Sequence, residues 1–83
     1  MGYIFRIKDR KHYRVQAGAY ENKAKAVERQ KELMDKYKLS SVIKEEDKMF
    51  KIQVGYFDGR ENAEKRAAEL NKKYKLGVFV KEI

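Results

Sequence analysis

Eighty-three residues with no cysteine hold one small domain and exclude a disulfide framework, a thiol nucleophile and a cysteine-based metal site. A single histidine leaves a zinc centre to be built mostly from carboxylates, so metal-dependent catalysis has little to stand on. Lys and Arg number 21 against 13 Asp and Glu, and the resulting +8 favours a polyanionic partner without choosing between nucleic acid, an anionic surface and an acidic wall polymer.

The chain opens on Met1-Gly2-Tyr3-Ile4-Phe5-Arg6-Ile7-Lys8, too short and too charged for a secretory signal. No apolar run anywhere approaches the ~20 residues of a membrane span, so no membrane partner is expected. Tyr3, Phe5 and Ile7 alternate with Ile4, Arg6 and Lys8, which makes residues 1–12 an extension with an additional strand. Paired with a second copy, that strand would give a homodimer. Next, Val15 to Ala19 alternates with Arg14, Gln16 and Gly18, the period-two pattern of a half-buried strand. Asn22 then suits a helix N-cap. The following helix carries Ala26, Gln30, Leu33 and Tyr37 as one stripe, widened by Val27 and Met34. Ser41 to Lys44 reads as a second strand, and Glu45-Glu46-Asp47-Lys48 as a turn leading straight into a third, Ile52 to Tyr56. Asp58, with Glu61 three residues on, resembles a capping box for a second helix with Ala63, Ala67, Leu70 and Tyr74 on one stripe. Gly77 suits its left-handed end, and Val78 to Lys81 closes the chain as a fourth strand.

The two halves match each other at a shift of 37 without a gap. Tyr13-Arg14-Val15-Gln16-Ala17-Gly18-Ala19-Tyr20 lies over Phe50-Lys51-Ile52-Gln53-Val54-Gly55-Tyr56-Phe57, and Ala26, Leu33, Tyr37 and Leu39 over Ala63, Leu70, Tyr74 and Leu76. Two copies of one strand–helix–strand unit, residues 13–46 and 50–83, are expected within a domain spanning 13–83. The fold class is α+β: a βαββαβ, ferredoxin-like arrangement, with a four-stranded antiparallel sheet and both helices on one face.

The other face is where function is sought. If Val15 and Ala17 point to the helices, Arg14, Gln16 and Gly18 point away. Ile52 and Val54 inward leave Met49, Lys51 and Gln53 outward. Val78 and Val80 in the core leave Phe79 and Lys81 outward, with Val42 and Lys44 as their counterparts. Each has a plainer reading: the glutamines as solvated strand polars, and Phe79 as core if its strand is displaced by one residue. His12 has no evident partner and is expected in solvent.

The duplicated strand with its Gln and Gly, each followed by Ala and Leu at the same helical spacing (Ala26, Leu33; Ala63, Leu70), with Asn22 and Asn62 near the two helix starts, resembles the SPOR domain family over about residues 13 to 83. The resemblance implies a non-catalytic module without cofactor or metal. Its partner would be peptidoglycan glycan strands stripped of their stem peptides, at the extracytoplasmic wall, within a longer or exported protein such as a wall amidase, a sporulation protein or a division protein. Carried over by position, the family's ligand residues fall on Gln16, its repeat mate Gln53, Lys51, Met49 (where some members carry Trp) and Phe79. Arg14 joins them from its place on the same face. A small hydroxyl position of the family is Ala19 here, one hydrogen bond fewer. Tyr20 and Phe57 match a core aromatic.

The rival reading is an RRM-like binder of single-stranded nucleic acid, which shares the topology and the charge. The third strand lacks the family's K/R-G-F/Y-G/A-F-V-x-F/Y run, which disfavours it. A third reading is a protein–protein interaction module pairing through residues 3–7.

Overall fold

The computed structural model of the chain describes residues 11–83; the expected additional strand at 3–7 lies outside the described residues. Strand β1 spans Tyr13–Tyr20, helix α1 Lys23–Tyr37, β2 Val42–Glu46, β3 Met49–Phe57, helix α2 Arg60–Tyr74 and β4 Phe79–Glu82. The strands form one antiparallel sheet in the order β2-β3-β1-β4, which puts β1 and β3 at its centre. Both helices lie on one face, as expected. Val15 and Ile52 from the central strands meet Ala26 and Leu33 of α1 and Ala63, Ala67 and Leu70 of α2, all buried. The small alanines let both helices approach the strands, and Tyr37 packs on Tyr74 where the helices end, their ring centroids 4.7 Å apart.

Several local expectations change. Val27 and Met34 are exposed rather than part of the core stripe. Each stands one residue, about 100° of helix, from Ala26 or Leu33, and among the described residues no further layer covers that flank. Asn22 caps α1 as expected, accepting from the Ala24 N–H at 2.7 Å. The second helix instead starts from Gly59, with no side-chain cap. Asp58 faces His12 Nδ1 at 2.9 Å, and the His12 ring stacks on Tyr56, so the histidine does have partners. Lys75, not Gly77, takes the left-handed position that ends α2, as Lys38 does for α1. Gly77 keeps a positive φ of 72° in the connection that follows, where Asn71 donates to the Val78 carbonyl and accepts from its N–H.

The β2–β3 hairpin turns on Asp47 and Lys48, with φ of 52° and 63°. Two positive φ angles in a two-residue loop are the requirement of a type I′ turn, which Asp meets tolerably and Lys does not. Lys48→Gly is therefore expected to raise stability by about 0.5–1 kcal/mol, or ~4 °C in Tm, in a thermal melt.

The central ladder contains two bulges. Val15 pairs with Gly55, Gln16 with Gln53 and Gly18 with Ile52, so Val54 on β3 and Ala17 on β1 have no partner. Beyond these points the alternation of β1 and β3 is reversed. Gly18 shares the helix-facing side with Ile52, contrary to its expected outward position, and Tyr56 comes round to the far face opposite Arg14. At Gly55 a side chain would not fit: an added Cβ would stand 2.9 Å from the Phe57 ring and 3.4 Å from Val15. Bulges bend and over-twist a ladder, and here they lie in the middle of the sheet.

Candidate functional site

Residues directly opposite each other in a ladder share a face. Val42, Gln53, Gln16 and Phe79 are opposite one another across all four strands, in the order β2-β3-β1-β4. They form one row across the face away from the helices, about 14 Å long for three strand spacings. Its ends are apolar and half exposed, Phe79 at 49% and Val42 at the same value. Its middle is two amides. Gln16 is only 4% exposed, and Oε1 of both Gln16 and Gln53 is buried without a hydrogen-bond partner among the described residues. A buried amide carbonyl left unpaired is costly, typically by about 1–3 kcal/mol, which a donor supplied from outside would relieve.

Around this row stands a cluster of charge. Arg14 and Lys81 are opposite on β1 and β4; Lys51 and Lys44 are opposite on β3 and β2. Arg14 sends both terminal nitrogens to the two carboxylate oxygens of Glu46, at 3.0 and 2.7 Å, a forked, charge-assisted pair. The Lys51 ammonium lies 3.5 Å from the same carboxylate and 3.6 Å from Asp47. Arg14 and Lys51 are 3% and 7% exposed, so the centre of the face is covered, where open solvent was expected.

The Arg14–Glu46 contact spans the sheet diagonally. Arg14 is opposite Tyr56 and Glu46 is opposite Met49, seven residues back along β3. On a flat sheet that separation is roughly 20 Å, beyond the reach of the two side chains. The sheet must therefore coil, concave on this face, and the two central bulges are the devices that coil it. On its way from β1 to β2, Arg14 crosses over β3.

The ionisation of the cluster follows from these contacts. The Arg14 hydrogen bonds, then its charge and that of Lys51, pull the Glu46 carboxyl from its ordinary 4.5 to about 2, against a desolvation that acts the other way. The same bond raises Arg14. Lys51 and Lys81 compete: a hydrogen bond donated by the Lys51 ammonium, which only an uncharged Lys81 amine can accept, and repulsion between the two charges hold Lys81 below the usual lysine range, while Lys51 is raised. A carboxyl whose folded pKa is depressed contributes stability above its unfolded value and loses it as pH falls through the folded one. Wild-type Tm is accordingly expected to fall between about pH 4.5 and pH 2 more steeply than that of Glu46→Gln, a difference that melts across this window would reveal.

Of the six residues singled out in the sequence, Gln16, Gln53 and Phe79 stand in one row, Arg14 and Lys51 meet at Glu46, and Met49 lies half-buried opposite Glu46 at the hairpin end. Three neighbours were not singled out as site residues. Glu46 reads in the sequence as a turn residue, Lys81 is only placed on the face, and Tyr56, half exposed here, continues the inward parity of Ile52 and Val54 in the sequence. Its signal was available: Val15 and Tyr20 are both core-facing at an odd separation, as are Ile52 and Phe57, which requires a bulge between them.

With this fold and face in view, comparison with known proteins is specific. A family model described as SPOR domain matches residues 9–81, and the chain belongs to the SPOR domain family. Among solved structures it is similar to the solution structure of the peptidoglycan binding domain of the B. subtilis cell wall lytic enzyme CwlC, with 29% sequence identity and a TM-score of 0.62. That similarity covers 88% of this chain and 87% of the other. No curated protein sequence matches it.

Proposed function

We propose that this domain binds peptidoglycan without catalysing any reaction on it, and that it selects glycan strands from which the stem peptides have been removed. The observation that carries the reading is the cross-sheet row of Val42, Gln53, Gln16 and Phe79 in a member of the SPOR family. An N-acetylated sugar offers what the row lacks. Acetamide N–H groups and hydroxyls are donors for the unpaired Gln16 and Gln53 carbonyls, and the apolar face of a pyranose suits the exposed ring of Phe79. The peptidoglycan-binding domain of CwlC, alike in fold and at 29% identity, supports the same ligand class. Met49 and Tyr56 would extend the contact at either end of β3. Removal of stem peptides matters for two reasons: a peptide would crowd a face whose centre is already filled by the Arg14 and Lys51 side chains, and its loss frees the lactyl carboxylate of muramic acid, an anion suited to those two cations.

On this reading the domain works at the extracytoplasmic wall, holding a hydrolase, division or sporulation protein to its substrate. The test is retention on purified sacculi before and after amidase treatment, beside a single-stranded RNA titration over a salt series. Stronger retention after amidase is the expected result. Equal retention on both sacculi would remove the preference for stripped glycan. Absent retention with tight, steeply salt-dependent RNA binding would replace the reading with a nucleic-acid one.

A further inference from the structure

The residues that the binding reading needs are covered. Gln16, Arg14 and Lys51 are each more than nine-tenths buried on the face away from the two described helices. The side chain that crosses β3 beside the amide row is Arg14, and what holds it there is Glu46. Arg14 and Lys51 meet at Glu46, with Lys81 opposite Arg14 on β4; among the described residues Glu46 is the only acid in forked contact, since Asp47 reaches only Lys51 and is itself largely exposed. The cluster is short of negative charge even with Glu46 in it. Arg14 Nε is also buried without a partner among the described residues, so the guanidinium has a further N–H to offer.

We infer that Arg14, Lys51 and Lys81 form a carboxylate subsite over the amide row, and that Glu46 occupies it as a resident carboxylate until the carboxylate of an acidic sugar takes its place. This deepens the peptidoglycan reading and rests on it. In the ligand-free domain the Arg14–Glu46 fork keeps the buried arginine paired and the sheet coiled. A ligand carboxylate arriving on Arg14 and Lys51 releases Glu46 to solvent on the edge strand, relaxes the coil and uncovers Gln16 and Gln53. A neutral sugar brings nothing to exchange for Glu46, so selection for the free carboxylate follows from the exchange itself. The arrangement imposes a conformational penalty on binding: apparent affinity is reduced by the fraction of molecules in which Glu46 is displaced. Weakening the fork should therefore tighten binding.

The experiment measures binding by calorimetry of wild type, Glu46→Gln, Glu46→Asp and Glu45→Gln. The two ligands are peptide-free glycan oligomers and the same oligomers with their lactyl carboxylates reduced to alcohols. Glu46→Asp keeps the charge but shortens the reach, and Glu45→Gln makes the same charge change as Glu46→Gln one residue away, off the face. The expected result is that Glu46→Gln and Glu46→Asp bind the carboxylated oligomer about five-fold tighter than wild type, with a smaller gain on the reduced one, while Glu45→Gln stays at wild-type affinity. Variants of Glu46 that bind no tighter than Glu45→Gln, or gain equally on both oligomers, would assign Glu46 a purely structural role and overturn the exchange. Wild type that binds neither oligomer while melting cooperatively would overturn the peptidoglycan reading itself, and the exchange with it. Should Glu46→Gln fail to fold, Glu46→Asp decides the matter alone.

Discussion

Leu33→Ala is expected to destabilise the domain by about 3 kcal/mol, while Met34→Ala, at the adjoining position, should change stability by less than about 0.5 kcal/mol. Leu33 is fully buried beneath α1, and its truncation leaves a cavity that two thin layers cannot collapse to fill. Met34 is 44% exposed on the flank of the same helix and loses little that water does not replace. At 83 residues the whole stability is about 4–12 kcal/mol, so the first change removes a large share of it. In a thermal melt Leu33→Ala should lower Tm by roughly 12–24 °C and Met34→Ala by a degree or two. Equal losses at the two positions would mean that α1 is rotated on its axis from the orientation described.

What was legible in the sequence was whatever local chemistry dictates. The alternation from Val15 and from Ile52 gave the two central strands. The Ala63, Ala67, Leu70 stripe gave the buried side of α2, and Asn22 the start of α1. The expectations that changed depended on partners distant in the chain. Asp58 is drawn from its capping role by His12, 46 residues away. Gly77 advertised a helix end that Lys75 had already made two residues earlier, because a lysine in the left-handed region costs only about 1–2 kcal/mol, which the helix-ending hydrogen bond to Asn71 offsets. Ala17 and Val54 are apolar residues in regular alternation, so nothing at those positions alone marks them as bulged. The consequence was largest for the face: Arg14 was placed correctly on it, yet its contact with Glu46 depends on a coil that only the paired strands possess. A pattern of alternation specifies which side a residue takes, and not how strongly the sheet curls toward that side.

That distinction decides how the row's own residues should respond to substitution. Phe79→Ala is expected to reduce retention on amidase-treated sacculi about ten-fold with Tm within a few degrees of wild type. The ring is 49% exposed on the short edge strand β4, so the core loses little, whereas a saccharide loses its apolar platform. Gln16→Ala should weaken retention comparably for a different reason: it deletes the buried carbonyl that waits for a donor, and with it the direction in which the sugar's acetamide is held. Its effect on stability should be small or even favourable, since the unsatisfied oxygen is a liability in the free domain. Salt separates these uncharged contributions from the charged ones. A stacked ring and an amide pair involve no net charge, so the losses caused by Phe79→Ala and Gln16→Ala should persist at 0.5 M NaCl, whereas any contribution from Lys51 and Lys81 should shrink as the medium screens it. Retention of both variants at the wild-type level, with melting unchanged, would move the ligand off the row altogether; the exposed basic surface would then have to account for whatever binding the wild-type domain displays, and salt would abolish it.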